Sequence, residues 1–76
     1  MKELIEFLAR SLVDNPGAVR VEEEPEEDRL VLRLYVDDSD MGKVIGKQGR
    51  IANAMRDLLK VAAARQGTRA SLEIGD

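Results

Sequence analysis

Met41-Gly42-Lys43-Val44-Ile45-Gly46-Lys47-Gln48-Gly49-Arg50-Ile51 is the stretch on which the reading of this chain turns. Met41, Val44 and Ile45 stand at helical spacing, Gly46 and Gly49 interrupt the pattern, and a second periodic run resumes at Ile51 and holds for about four turns. Gly46-Lys47-Gln48-Gly49 therefore joins two helices. Without Cβ atoms the two glycines let another backbone approach closely, and the first N–H groups of the following helix lack intrahelical acceptors. Such a helix start favours an anion. Lys47 inside the loop, with Lys43 and Arg50 on either side, points to a run of phosphates rather than a lone carboxylate. An isolated GxxG has a plainer meaning as well, a mere turn between helices.

Composition narrows the field. At 76 residues the chain reads as one domain over 1–76, and a domain of this size buries only roughly 60–65% of its unfolded surface. There is no Trp, and Phe7 and Tyr35 are the only aromatics, so the core must be aliphatic. The absence of Cys excludes a disulfide framework and a thiolate nucleophile. The absence of His removes the usual metal ligand and neutral-pH base. Met1-Lys2-Glu3-Leu4 has neither the pattern of a signal peptide nor that of a membrane span, so a cytoplasmic protein is expected. The net charge of −3 conceals a division: Met1 to Asp40 carries twelve acids and five bases, whereas from Met41 to Ala70 seven bases face the single acid Asp57. A basic half of this kind is an electrostatic footprint for nucleic acid.

Outward from the loop the pattern alternates between helical and extended periods. Leu4, Ile5, Leu8, Leu12 and Val13 predict an amphipathic helix from about Lys2 to Val13, stopped by Asp14-Asn15-Pro16-Gly17. Val19 and Val21, then Leu30, Leu32, Leu34 and Val36, alternate as two strands. The acidic tract Glu22 to Asp28 between them reads as a solvated hairpin loop. Asp37 is the expected N-cap of the short helix that ends at Ile45, and the carboxylates of Asp37, Asp38 and Asp40 lack the ligand spacing of a calcium loop. Ile51, Met55, Leu58, Leu59 and Ala62 form the stripe of the long helix, Gly67 ends it, and Ala70, Leu72 and Ile74 make a last strand. The first two strands should form an antiparallel hairpin, and a helical crossover should set the last strand parallel to the second. An α+β fold follows, in the order α-β-β-α-α-β, with a three-stranded mixed sheet covered on one face by three helices.

Val44-Ile45-Gly46-Lys47-Gln48-Gly49, with its short helix before and long helix after, resembles the signature of K homology (KH) domains, whose GxxG loop clamps about four nucleotides. Element order resembles the bacterial, type II, form over the whole chain. Size and the Gly42-Lys43-Val44-Ile45-Gly46-Lys47-Gln48-Gly49-Arg50 core are similar to the KhpA family of small bacterial RNA-binding proteins. One position departs from many KH domains, since a large aliphatic three residues beyond the second glycine is replaced by Ala52, leaving Ile51 or Met55 to fill that volume. The resemblance implies single-stranded RNA in a groove between the two motif helices and the last strand. Lys47, Gln48 and the backbone at Gly46 and Gly49 would hold phosphates, Ile45, Ile51 and Leu72 would floor the groove, Lys43 and Arg50 would steer, and Arg69 would reach its far end. It also implies pairing with a second KH-containing protein, as a homodimer or heterodimer, and a part in RNA regulation linked to growth. No catalytic residue, cofactor or metal is implied.

Two other classes compete with RNA binding. A protein-interaction adaptor would use the small-residue face Ala52, Ala62, Ala63 and Ala64 of the long helix, although alanine also serves helix propensity. A nucleotide-hydrolysing P-loop needs GxxxxGK followed by Ser or Thr, whereas Gly42 to Lys47 is one residue short and Gln48 follows. Arg56, Lys60 and Arg65 read as a solvated helix face.

Overall fold

A computed structural model describes residues 1–75 of the chain. Helix α1 (Lys2–Leu12) leads through a 3-10 turn, Pro16–Ala18, into β1 (Arg20–Pro25) and β2 (Leu30–Tyr35). A second 3-10 turn, Asp38–Asp40, opens α2 (Met41–Ile45); the Lys47–Gly49 corner then leads to α3 (Arg50–Arg65) and β3 (Ala70–Ile74). Strand β2 is central, antiparallel to β1 and parallel to β3. Element order is that expected from the periodicity, and strand directions are those expected from the connections.

Each element contributes to one aliphatic core: Ile5 and Ala9 from α1, Val21 from β1, Leu32 and Leu34 from β2, Val44 from α2, Met55 and Leu59 from α3, Leu72 from β3. The inward residues of the sheet meet all three helices, so the helices share one face. On the other face Arg33 of β2 pairs with Glu24 of β1 and Glu73 of β3, and Arg20 lies 4.5 Å from the Tyr35 ring centroid. Cross-strand pairs of opposite charge keep that face in water while holding the strands in register.

The acidic tract is the first correction. Glu22, Glu23, Glu24 and Pro25 belong to β1, and only Glu26 to Arg29 turn, closed by Glu26 N–H donating to the Arg29 carbonyl at 2.8 Å. Consecutive glutamates read as loop by composition, but β1 is an edge strand with its side chains in water beyond Val21, and an edge tolerates both charge and proline.

Asp37 caps as expected, though it caps the 3-10 turn: its carboxylate accepts from Ser39 N–H at 2.9 Å and the Ser39 hydroxyl at 2.8 Å. Those bonds hold the Asp37 carboxyl below the usual carboxylate range. Asp40, by contrast, is fully buried. Its two oxygens accept the backbone N–H groups of Asp14 and Asn15 at 3.2 and 3.0 Å, which ties the end of α1 to the start of α2. Burial alone would raise this carboxyl, but the two N–H donors and the Lys43 ammonium outweigh it and hold it below the usual range.

Helix α3 ends as Gly67 predicts. Thr68 N–H reaches the Ala63 carbonyl and Gly67 N–H the Ala64 carbonyl, the paired bonds of a Schellman motif, with Gly67 at φ +72°.

Candidate functional site

The corner between α2 and α3 makes three demands on backbone conformation. Gly46 stands at φ 77°, ψ 171°, a region essentially closed to residues with a Cβ; Gln48 at φ 57°, ψ 24° and Gly49 at φ 75°, ψ 14° are left-handed. Gly46 N–H donates to the Gly42 carbonyl and Gly49 N–H to the Gly46 carbonyl, so the corner is a closed turn before anything binds it. A Cβ on Gly46 would lie 2.6 Å from Cγ1 of Ile51, whereas one on Gly49 would meet only the Asn53 amide at 3.9 Å. Ile51, not a passing ligand backbone, therefore uses the space at Gly46, and it supplies the packing beneath the loop while Ala52 points into the core.

Lys47 and Gln48 project into solvent from this turn. Gly49 brings no side chain to cap α3, and of the first-turn N–H groups that of Arg50 is taken by the Lys47 carbonyl. Arg50 reaches back to Gln48, donating to Oε1 at 3.2 Å. A positive helix start, an exposed lysine and a bridged arginine make one compact electropositive corner. Lys43 lies at its margin with its ammonium 3.1 Å from Asp14 and 3.5 Å from Asp40. Asp14 first, then Asp40, holds Lys43 above the ordinary lysine value.

The remaining sequence-predicted positions separate on two sides of α3. Ile51 faces α1, lining an open apolar groove with Phe7, Leu8, Leu12, Ala54 and Leu58. Leu72 buries its side chain in the domain's own core and presents only its carbonyl to the other side, where Arg56 Nε donates to it at 3.3 Å. Leu72 as apolar floor is thus corrected to Leu72 as backbone acceptor. Arg69 lies farther along, at the start of β3. Ile45 is partly exposed beside the loop.

Arg56 and Lys60, read from sequence as a solvated face, line the cleft between α3 and β3 together with Ala70 and Ser71. Their spacing of four puts them on one face of α3, and the parallel crossover turns that face to the free edge of β3. The core stripe of α3 is also shifted: Ala52, Met55, Leu59 and Ala63 are buried, while Leu58 is 49% and Val61 54% exposed. Ala52 and Ala63 therefore pack inside their own domain, so that of the small-residue face expected to meet a second chain only Ala62, half-buried, and Ala64, exposed, reach the surface. A different exposed apolar surface takes its place, in which Phe7 of α1 is 68% exposed beside Leu58.

The chain and its fold have relatives among known proteins. Residues 2–74 match the family profile described as KhpA/KhpB, KH domain. The chain is 51% identical over 74 residues to the RNA-binding protein KhpA of Clostridium perfringens, covering 97% of this chain and 99% of that one. It is 52% identical over 75 residues to RNA-binding protein KhpA of Treponema pallidum, covering 99% and 94%. Among solved structures it resembles part of Aquifex aeolicus Era bound to GDP and aluminium fluoride, with TM-score 0.67 and 18% identity over 96% of this chain and 28% of that one. Era in complex with MgGDPNP and a segment of 16S ribosomal RNA gives TM-score 0.54 and 24% identity, again over 28% of the Era chain. Those two likenesses speak for the fold alone, the bacterial form of the KH fold. Identity of about one residue in two, sustained along nearly the full length of both partners, goes further: this chain belongs to the KhpA/KhpB KH-domain family.

Proposed function

We propose that the protein is a non-catalytic, cytoplasmic RNA-binding KH domain spanning residues 1–76, which holds single-stranded RNA at the GxxG corner and acts in RNA regulation linked to growth. The observation that carries this reading is the preformed corner, with Lys47 and Gln48 exposed over a helix start that no side chain caps. Lys47, Gln48 and the backbone from Gly46 to Gly49 take phosphates. Arg50 and Lys43 steer the strand in, Ile45 meets a base beside the loop, and Arg69 stands at the far end with the Leu72 carbonyl along the way, whereas Ile51, packed under Gly46 and turned to α1, supports the loop from below instead of flooring the groove. The curated relatives named above are RNA-binding proteins, which supports the class of ligand.

Replacing both Lys47 and Gln48 with Asp sets two negative charges where phosphates sit and leaves both glycines intact. Affinity for short single-stranded RNA falls by at least about tenfold, the scale of losing one or two charge-assisted contacts, while the thermal melt moves little. Unchanged RNA affinity in this folded variant refutes the clamp.

Pairing with a second KH-containing chain is supported by the apolar groove between α1 and α3. Two linked domains would combine two weak sites into a useful affinity. The adaptor reading uses this same surface.

A further inference from the structure

In the middle of α3 the half-buried side chain of Arg56 is fixed at two points. Its Nε donates to the Leu72 carbonyl at 3.3 Å and its Nη1 to Asn53 Oδ1 at 3.2 Å. Both acceptors are neutral, and among the described residues no carboxylate lies within ion-pair distance of this guanidinium. A full positive charge is therefore held in place without a counter-charge, and of the five N–H groups of the fork the protein uses two. Beside it lies a notch of about 120 Å³, lined also by Lys60, Ala70, Ser71 and Leu72. Pockets for whole small ligands run to roughly 300–1,000 Å³, so this one takes the edge of a base and not a nucleotide.

The strand edge beside Arg56 decides which edge fits. The Arg69 carbonyl and the Gly75 N–H both bond to β2, so the odd-numbered residues of β3 turn their backbone groups inward. Leu72 turns its N–H and carbonyl to the free edge. A bare edge offers one donor and one acceptor, which suits adenine, whose exocyclic amino group donates beside a ring nitrogen that accepts. Here Arg56 occupies the acceptor. A carbonyl keeps a second lone pair, but an amino group aimed at it meets the guanidinium N–H groups, donor against donor. The position thus presents donors, the Leu72 N–H and the unused N–H groups of Arg56. Guanine answers with two adjacent acceptors, O6 and N7, the edge that arginine binds bidentately.

We propose that Arg56 is a specificity-determining residue, selecting guanine over adenine at the nucleotide that crosses Leu72. The inference rests on the function proposed above and adds which purine the strand carries there. Six residues of α3 separate Arg50 from Arg56, a rise of about 9 Å, so a strand of about four nucleotides held at the loop reaches both. The unstacked bases of a single strand are free to turn this edge toward the protein. The two purines are alike in size and in their stacking faces, so hydrogen bonding separates them.

NMR titration of the isotope-labelled chain tests this with an RNA of four adenosines and a set in which guanosine replaces one adenosine at a time. In the wild type the backbone amides from Gly46 to Gly49 shift with every RNA, while guanosine at one position raises affinity by about tenfold and shifts the Arg56 Nε–H signal. Inosine at that position, which keeps O6 and N7 and lacks the 2-amino group, gives the same gain. Arg56→Gln, checked by thermal melting to be folded, puts back a donor beside an acceptor, so the gain vanishes and adenine becomes the preferred purine. Arg56→Lys keeps the charge without the fork and loses most of the gain. A residue that only staples β3 to α3 would leave the base preference unmoved in both variants. A wild type that binds all the RNAs equally or prefers adenine at every position, an inosine RNA without the gain, or variants that keep it overturn the proposal. So does a uniform loss across the set in Arg56→Gln with a salt slope shallower by about 1, the mark of a phosphate contact. In each of these cases shifts from Gly46 to Gly49 leave the loop reading standing. Absence of those shifts with every RNA overturns the loop reading and the base choice with it.

Discussion

Two glycines that look alike in sequence do different things. Gly46 combines a backbone conformation that only glycine adopts freely with a side chain, Ile51, pressed into the space where a Cβ would lie. Gly46→Ala should destabilise the domain by about 2–4 kcal/mol, strain and overpacking together. Gly49→Ala meets open space and costs only the left-handed conformation, about 1 kcal/mol. Denaturant unfolding of the two variants distinguishes them; equal losses would mean that Ile51 does not pack as described. Asp40 is the other residue on which much depends. Its folded-state carboxyl is held low, so the unfolded chain takes up a proton first as pH falls. Its contribution is complete above the unfolded value of about 3.9 and is lost as pH drops below it. Lys43 works in the opposite sense: its raised value means stability present below about 10.4 and lost as pH climbs past it. Asp40→Asn should therefore be less stable at pH 7 and should show a flatter loss between about pH 4 and 2 than the parent. A parallel acid-unfolding profile would contradict this account. Asp40 was legible only as one of three clustered acids, because nothing in a local pattern says which of them meets the N–H groups of Asp14 and Asn15, some 25 positions away.

At the scale of elements, α3 has three faces with three occupations. Ala52, Met55, Leu59 and Ala63 face the sheet; Ile51, Ala54 and Leu58 face the α1 groove; Arg56 and Lys60 face β3. Periodicity locates the helix, its end and the core positions Met55 and Leu59, but the apolar arc spans more than the core needs, so Leu58 lies outside it and Ala52 and Ala63 lie inside. Substitution separates the faces. Ala63→Glu buries an unpaired charge and should unfold a domain whose whole stability is about 5–15 kcal/mol. Leu58→Glu, on a side chain 49% exposed, should change stability by no more than about 0.5 kcal/mol and, on the pairing proposed above, abolish association with a second KH domain. Light scattering of folded Leu58→Glu reads the second effect; an unaltered dimer would move the pairing surface elsewhere. The hairpin shows the same limit in β1, where glutamates that look like loop become strand because β2 offers a register and solvent takes the side chains.

For the molecule as a whole, the negative net charge is set aside by geometry. The acids gather on β1, on the β1–β2 turn and at the start of α2, while the bases line α3 and its two ends. About three to five phosphate contacts predict a slope of log affinity against log salt near −2 to −3.5 for a single strand. A strand bound as proposed along β3 has its bases splayed, whereas duplex RNA keeps its base edges stacked in a deep groove, so matched single-stranded oligonucleotides should bind more tightly than duplex. Filter binding across two salt concentrations checks both. Equal affinity for duplex would mean that the basic side acts as an undirected charged surface.

Local rules in the chain determined the element order, the GxxG corner with its exposed Lys47 and Gln48, the Asp37 cap and the Gly67 stop, since each depends on residues within one or two turns of one another. The direction of each strand followed from connection length alone. Only the tertiary structure decided which side of α3 is buried, that Leu72 offers a carbonyl instead of a side chain, that Asp40 is a buried staple, and that Arg56, Lys60, Arg29 and Arg69 share one cleft. These are contacts between residues far apart in the chain, and they are fixed by how the helices settle on the sheet, a choice that a periodic pattern broader than the core leaves open.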